Sequence, residues 1–168
     1  MSVADRVHFR MMSLIHEDLY RVFRNPYDVL KTAGLASGQD VLEVGCGPGF
    51  FTVPAARMVG EQGTVHALDI NPLALERVRQ KVERGGVTNV CTILADAGQT
   101  GLPSESFDLI FLFGLGHVVG GADRMIAELH RLLRPGGTLS IEGRLTPNGE
   151  LFQAVSSEGR MTQYRKAV

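Results

Sequence analysis

Cysteine is scarce. The 168 residues hold only two, Cys46 and Cys91. A disulfide framework is therefore not indicated, and a reducing cytoplasm is the expected compartment. Cys91 reads as a small core residue. An excess of either charge is also missing: 17 Lys and Arg offset 18 Asp and Glu, for a formal net charge of −1. No global field draws such a chain to nucleic acid or to an anionic membrane, and nucleic acid is not expected as a partner. No apolar run approaches the roughly 18 residues that a membrane span needs. The opening MSVADRVHFRMM puts charges where a signal peptide would hold its apolar core. There is no internal repeat and no low-complexity segment. No metal site is expected, and nothing in the sequence sets an oligomeric state.

What is present fits one soluble domain: 44% hydrophobic and 21% charged residues, long enough for a layered core. Between Met11 and Phe23, apolar residues recur at helical spacing. Asn25-Pro26 then reads as an N-cap with proline at the first helical position, opening a short helix that stops at Gly34. From Asp40 the pattern alternates. VLEVG, GTVHALD, NVCTILAD, FDLIFLF and TLSIEG read as strands. FFTVPAARMVG, NPLALERVRQKVERGG and GADRMIAELHRLLRPGG read as helices, the last stopped by Pro135-Gly136-Gly137 with Leu132 and Leu133 on its apolar stripe. Such alternation predicts an α/β fold, a doubly wound and mostly parallel sheet with helices on both faces. Only about eight residues separate Gly143 from Leu151, too few for a crossover helix. The tail ELFQAVSSEGRMTQYRKAV therefore predicts an antiparallel pair around a turn at Glu158-Gly159.

The stretch DVLEVGCGPGFF carries the first functional signal. A strand enters three glycines in five residues, Gly45, Gly47 and Gly49, and a helix follows. Ligands of open parallel sheets lie at such turns, and glycine lets backbone approach them closely. The dinucleotide fingerprint places its third glycine one residue later than Gly49. Glu43 stands in the strand among apolar neighbours. A buried carboxylate is costly unless paired; a pyrophosphate would raise that cost and a cationic ligand would offset it. Asp69 ends the second strand, where an acid can accept from ribose hydroxyls or serve as a helix-start carboxylate. Asp96 ends the third. Three acids at successive strand tips around a glycine turn form a candidate site.

VLEVGCGPG, ALDINP, ADAGQTGLPSESFDLIFLF and LRPGGTLSIEG, in that order, resemble the motifs of class I S-adenosylmethionine-dependent methyltransferases. The small-molecule subgroup, similar to quinone-biosynthesis and methyltransferase type 11 domains, is the nearest in character, over roughly Gly34 to Lys166. The resemblance implies a Rossmann-like domain over 35–168 behind an N-terminal helical cover over 1–34. It implies S-adenosyl-L-methionine as cofactor and a small-molecule methyl acceptor. Gly45, Cys46, Gly47 and Gly49 would line the methionine and ribose portion, and Glu43 would face the amino-acid end. Asp69 would take the ribose hydroxyls with Ile70 beside the adenine. Asp96 would bond the adenine amino group, and the Ala97 N–H a ring nitrogen. Phe113 and Gly114 would flank the methionine portion and the substrate entrance. No NPPY-type motif follows the fourth strand, which counts against methylation of DNA bases.

Methyl transfer from a sulfonium is a displacement in which the protein chiefly aligns the reactants. A general base is needed only for a protonated nucleophile. His117 in GLGHVV is the candidate base, and a loop histidine bonding backbone is the alternative. His16 on the N-terminal helix and Glu142 at the end of the fifth strand are candidate substrate contacts. Arg6, Arg10, Arg21 and Arg24 form a solvated basic face or an anion-binding lid. Three other readings compete: methylation of RNA or protein, a silent cofactor-binding partner subunit, and a nicotinamide-dependent oxidoreductase. The early third glycine and Glu43 argue against the last.

Overall fold

The computed structural model of the protein describes residues 25–114 and 121–167. Among the described residues there are four helices and seven strands. In chain order they are α1 (Pro26–Thr32), β1 (Asp40–Val44), α2 (Thr52–Val59), β2 (Thr64–Asp69), α3 (Pro72–Gly85), β3 (Val90–Leu94), β4 (Phe107–Phe113), α4 (Ala122–Leu132), β5 (Leu133–Glu142), β6 (Phe152–Glu158) and β7 (Met161–Lys166). The strands form one sheet in the order β3-β2-β1-β4-β5-β7-β6. The first five are parallel, and β7 is antiparallel to both β5 and β6. The fold class and the terminal antiparallel pair are those the sequence predicts, and no helix lies between β5 and β6.

The starts of α1 and α3 follow one local rule. Asn25 and Asn71 each accept a backbone N–H two residues on, at 3.0 Å, and each precedes a proline that needs no donor. Alternation along the strands then sorts the core. Val41 packs on the face covered by α1 and α2, with Val29, Leu30, Ala33, Ala55 and Val59. Leu42 and Val44 pack on the opposite face with Met125, Ile126 and Leu129 of α4. Ile110, Phe111 and Leu112 of β4 are all buried, as expected of a strand covered on both sides. Among the described residues no helix is long and apolar enough to cross a membrane.

Two expectations are corrected. The last helix does not run to Pro135: α4 ends at Leu132, and Leu133 is already extended and opens β5. Proline disfavours helical backbone at Arg134 before it, so the chain leaves the helix early. The Pro-Gly-Gly segment lies inside β5, where the register with β4 jumps from Phe107↔Leu133 to Leu109↔Thr138. Cys91 is not a core residue. It is exposed, because β3 is the outermost of the described strands, with β2 alone among them beside it. The expected helix over Met11–Phe23, with His16 and the four arginines, lies outside the described residues, as does His117.

Candidate active site

The sheet order reverses between β1 and β4, and it is beyond the carboxyl ends of the strands at such a reversal that open α/β sheets have their ligand crevice. The glycine turn leaves β1 there. The N–H groups of Gly45 and Cys46 both donate to the Leu68 carbonyl, at 2.8 and 3.0 Å, which fastens the turn to the end of β2. Gly47 and Gly49 both have positive φ but do different work. Among the described residues, a Cβ on Gly47 would meet nothing within 4 Å, so that backbone faces space they leave open. A Cβ on Gly49 would come within 2.9 Å of Val78 Cγ2 and 3.3 Å of Thr52 Oγ1, so that glycine lets α3 pack against the turn.

Asp69 ends β2 with both oxygens engaged. Oδ2 accepts the Gly47 N–H and Oδ1 the Asn71 N–H, each at 2.8 Å. It therefore ties the glycine turn to the start of α3. Each carboxylate oxygen can accept more than one bond, so capacity remains for a ligand's hydroxyls. Ile70, next in the chain, is 54% exposed, an apolar side chain held out at the crevice rim.

Asp96 follows β3. Its Oδ1 accepts the Gly98 N–H at 2.7 Å, and its Oδ2 pairs with Arg124 in the first turn of α4. Ala97 packs against the α4-side core. On the other flank, Phe113 ends β4, half-buried. It stacks on Phe111 and meets Phe51 edge-on, with ring centroids 4.8 and 4.9 Å apart. Glu142 ends β5 in register with Phe113 and is buried.

Glu43 lies beneath the turn, 3% exposed, and Thr52 Oγ1 donates to its Oε2 at 2.6 Å. Burial pushes its carboxyl up to about 8, against the Thr52 hydrogen bond; Asp69 adds to the rise and Lys81 opposes it. Burial likewise pushes the Cys46 thiol up, with the Glu43 and Asp69 charges adding, so the thiol is held neutral. Glu43, Cys46, Gly47, Gly49 and Asp69 thus form one constellation. Asp96 lies on the β3 side of it, and Phe113 and Glu142 on the β4–β5 side. Sequence reasoning missed Thr52 and Arg124. Thr52 is the first residue of the helix after the glycines, and Arg124 follows a glycine at the start of α4. Neither position declares its carboxylate partner in the sequence.

The model of the methyltransferase-domain family matches residues 41–137, more than half of the chain. The chain belongs to this methyltransferase-domain family. Among curated relatives, the domain is 31% identical over 147 residues to the ubiquinone/menaquinone biosynthesis C-methyltransferase UbiE of Marinomonas sp., covering 86% of this chain and 57% of that protein. It is 34% identical over 152 residues to the UbiE of Serratia proteamaculans, covering 87% and 59%. Over a shorter stretch of 74 residues it is 42% identical to the aklanonic acid methyltransferase DauC of a Streptomyces, covering 44% and 34%. The chain spans about half the length of the UbiE relatives it matches, and about a third of DauC. Among solved structures, a SAM-dependent methyltransferase from Aquifex aeolicus superposes with a TM-score of 0.80 at 24% identity, covering 94% of this chain and 98% of that one. This last likeness is one of fold, and it extends over nearly the whole of a comparably short chain.

Proposed function

We propose that this methyltransferase domain transfers a methyl group from S-adenosylmethionine to a small-molecule acceptor in the cytoplasm. The observation that carries the reading is the Asp69 bridge: a strand-tip acid holds open a glycine backbone that faces space, within reach of a buried carboxylate. That donor set suits a ligand with vicinal hydroxyls at one point and positive charge at another. It does not suit a pyrophosphate, which would lie close to Glu43 and Asp69.

In this reading Asp69 accepts from the ribose hydroxyls, and Ile70 gives the adenine an apolar surface. Asp96 and the Ala97 N–H read the adenine edge, with Arg124 fixing the Asp96 carboxylate. Gly45, Cys46, Gly47 and Gly49 line the ribose and methionine portion, with Glu43 towards the amino-acid end. Phe113 walls the entrance, and Glu142, His16 and His117 are the candidate acceptor contacts, His117 as base. When bound, the cofactor supplies an electrophilic methyl on a sulfonium. The chain's own part is to hold the acceptor in line with it and exclude water. Residues 1–24 act as the cover that completes this enclosure.

The small-molecule acceptor is supported by the names of the relatives, which are C-methyltransferases of quinone biosynthesis and an aklanonic acid methyltransferase. The test incubates the protein with methyl-labelled cofactor and a cell metabolite extract, with RNA and protein fractions in parallel. Label in a small-molecule fraction supports the reading. Label only in RNA or protein, or none despite tight cofactor binding, overturns it.

A further inference from the structure

Resting on that reading, we propose that Glu43 and Thr52 form a proton-coupled receptor for the ligand's ammonium: the pair holds a proton in the free protein and releases it when that cation docks. The geometry supports this in three ways. Glu43 stands on β1 two residues before the glycine turn, 3% exposed and hydrogen-bonded to the first residue of α2, and a Cβ on Gly47 of that turn would meet no described neighbour. Its partner is a hydroxyl: Thr52, fully buried, with Oγ1 at 2.6 Å. A hydroxyl can donate to a carboxylate or accept from a carboxylic acid, so this contact survives both protonation states. A lysine or arginine in place of Thr52 would fix the charged form.

The surrounding charges point the same way. β2 presents Asp69, a second negative charge; the turn presents the neutral Cys46 thiol; α3 presents Lys81, whose effect is the smallest of those acting on Glu43. On the β4 side the register neighbour is Phe111, which has no charge to offer. Burial therefore dominates, and the carboxyl is pushed up to about 8. A docking ammonium supplies the stabilisation that burial removed. Glu43–COOH and the ligand cation become a carboxylate–ammonium pair, and one proton passes to solvent. A nucleoside without an ammonium gains nothing from Glu43, so the pair selects for the amino-acid end of the ligand.

The sign follows from linkage. Below about pH 8 the free protein must lose a proton to bind, so affinity rises with pH by up to about tenfold per unit and levels off above that value. The experiment is titration calorimetry with S-adenosylhomocysteine in buffers of different ionisation enthalpy, near neutral pH. 5′-Methylthioadenosine, which lacks the ammonium, is the control. The expected result is release of close to one proton with the first ligand and none with the second. Glu43→Gln should abolish the release and flatten the pH profile. Thr52→Val should keep the fold and shift the profile to higher pH, because the carboxylate loses its donor. Tight binding of S-adenosylhomocysteine by the wild type without proton release overturns this inference and leaves the methyltransferase reading standing. So does an unchanged profile in Thr52→Val. Failure of both nucleosides to bind at any pH overturns the methyltransferase reading itself, and this inference with it.

Discussion

Asp69 accepts the backbone N–H of Gly47 at 2.8 Å, from a strand tip 22 residues away in sequence. The contact gives the side chain the task of holding the turn, and the proposed function adds a second, meeting the ribose hydroxyls. Asp69→Ala should weaken S-adenosylhomocysteine binding by about 1–3 kcal/mol through loss of a charged acceptor. It should also lower the melting temperature, because the Gly47 and Asn71 amides lose their partner together. Calorimetry and thermal melts on the same samples check both. Unchanged affinity with a lowered melting temperature would leave Asp69 as a structural clamp alone.

The two glycines should separate in the same assays. Gly49→Ala brings its Cβ within 2.9 Å of Val78 and should destabilise the fold by about 1–3 kcal/mol, on top of the positive-φ strain it shares with Gly47. Gly47→Ala meets no neighbour among the described residues and carries only the strain of a positive φ, about 1–2 kcal/mol. Its larger effect should fall on ligand affinity, because the new methyl enters the space above the turn. If Gly47→Ala binds as tightly as wild type, the close-approach role of that backbone is wrong.

The contrast between these glycines also marks what the sequence could and could not convey. Spacing announced a glycine turn between β1 and α2, and alternation of strands and helices announced the parallel sheet, because both are local patterns. Which glycine packs against α3 and which stays open depends on where Val78 comes to rest, which is a tertiary fact. Glu43 was legible as an anomaly, an acid in an apolar strand. Its Thr52 partner was not, since many hydroxyls follow glycine turns without reaching a carboxylate. Cys91 was misread because an apolar strand does not say whether it is central or outermost. Leu133 was misread because its stripe fits a helix and it is indeed fully buried, but as a strand residue paired with Phe107.

Glu43 should also cost the free protein stability. Its carboxyl titrates near the ordinary value of 4.5 when unfolded and near 8 when folded. The folded state therefore binds the proton more tightly. Stability from this group is fully present below the unfolded value and is lost as pH rises towards the folded one. Near neutral pH the loss is of the order of a few kcal/mol. Glu43→Gln, neutral at every pH, should therefore melt higher than wild type at about pH 7–8 and lose that advantage at about pH 4. Thermal melts across pH check this. A variant less stable than wild type at every pH would mean that Glu43 is charged and well paired in the fold.

Removing residues 1–24 should leave a folded domain that binds cofactor but turns over acceptor at least tenfold more slowly, about 1.4 kcal/mol of barrier. The structure supplies the reason for cutting there. Helix α1 is complete from Asn25, whose side chain caps it by accepting the Tyr27 N–H at 3.0 Å. Its apolar residues, Val29 and Leu30, are already buried against the sheet. Among the described residues, α1 is thus capped and packed by residues from Asn25 onward. The cut end also lies near the carboxyl end of β5. Asn25 and Asp28 line a groove of about 350 Å³ with Glu158, Arg160 and Met161. Met161 in turn stands opposite Glu142 across the β5–β7 pair. A segment entering at Asn25 thus starts at the correct end of the sheet to cover an acceptor. Its sequence, apolar at Met11, Ile15, Leu19 and Phe23, demands a surface to bury that stripe. Steady-state kinetics, a melting curve and a cofactor titration on the truncated chain separate the outcomes. Lower turnover with an unchanged melting temperature and cofactor affinity identifies a cover. A sharp drop in all three identifies a piece of the core. Hydrogen exchange on the full chain adds an independent readout, since a cover slows its exchange when ligand binds. Equal protection with and without ligand would count against the cover.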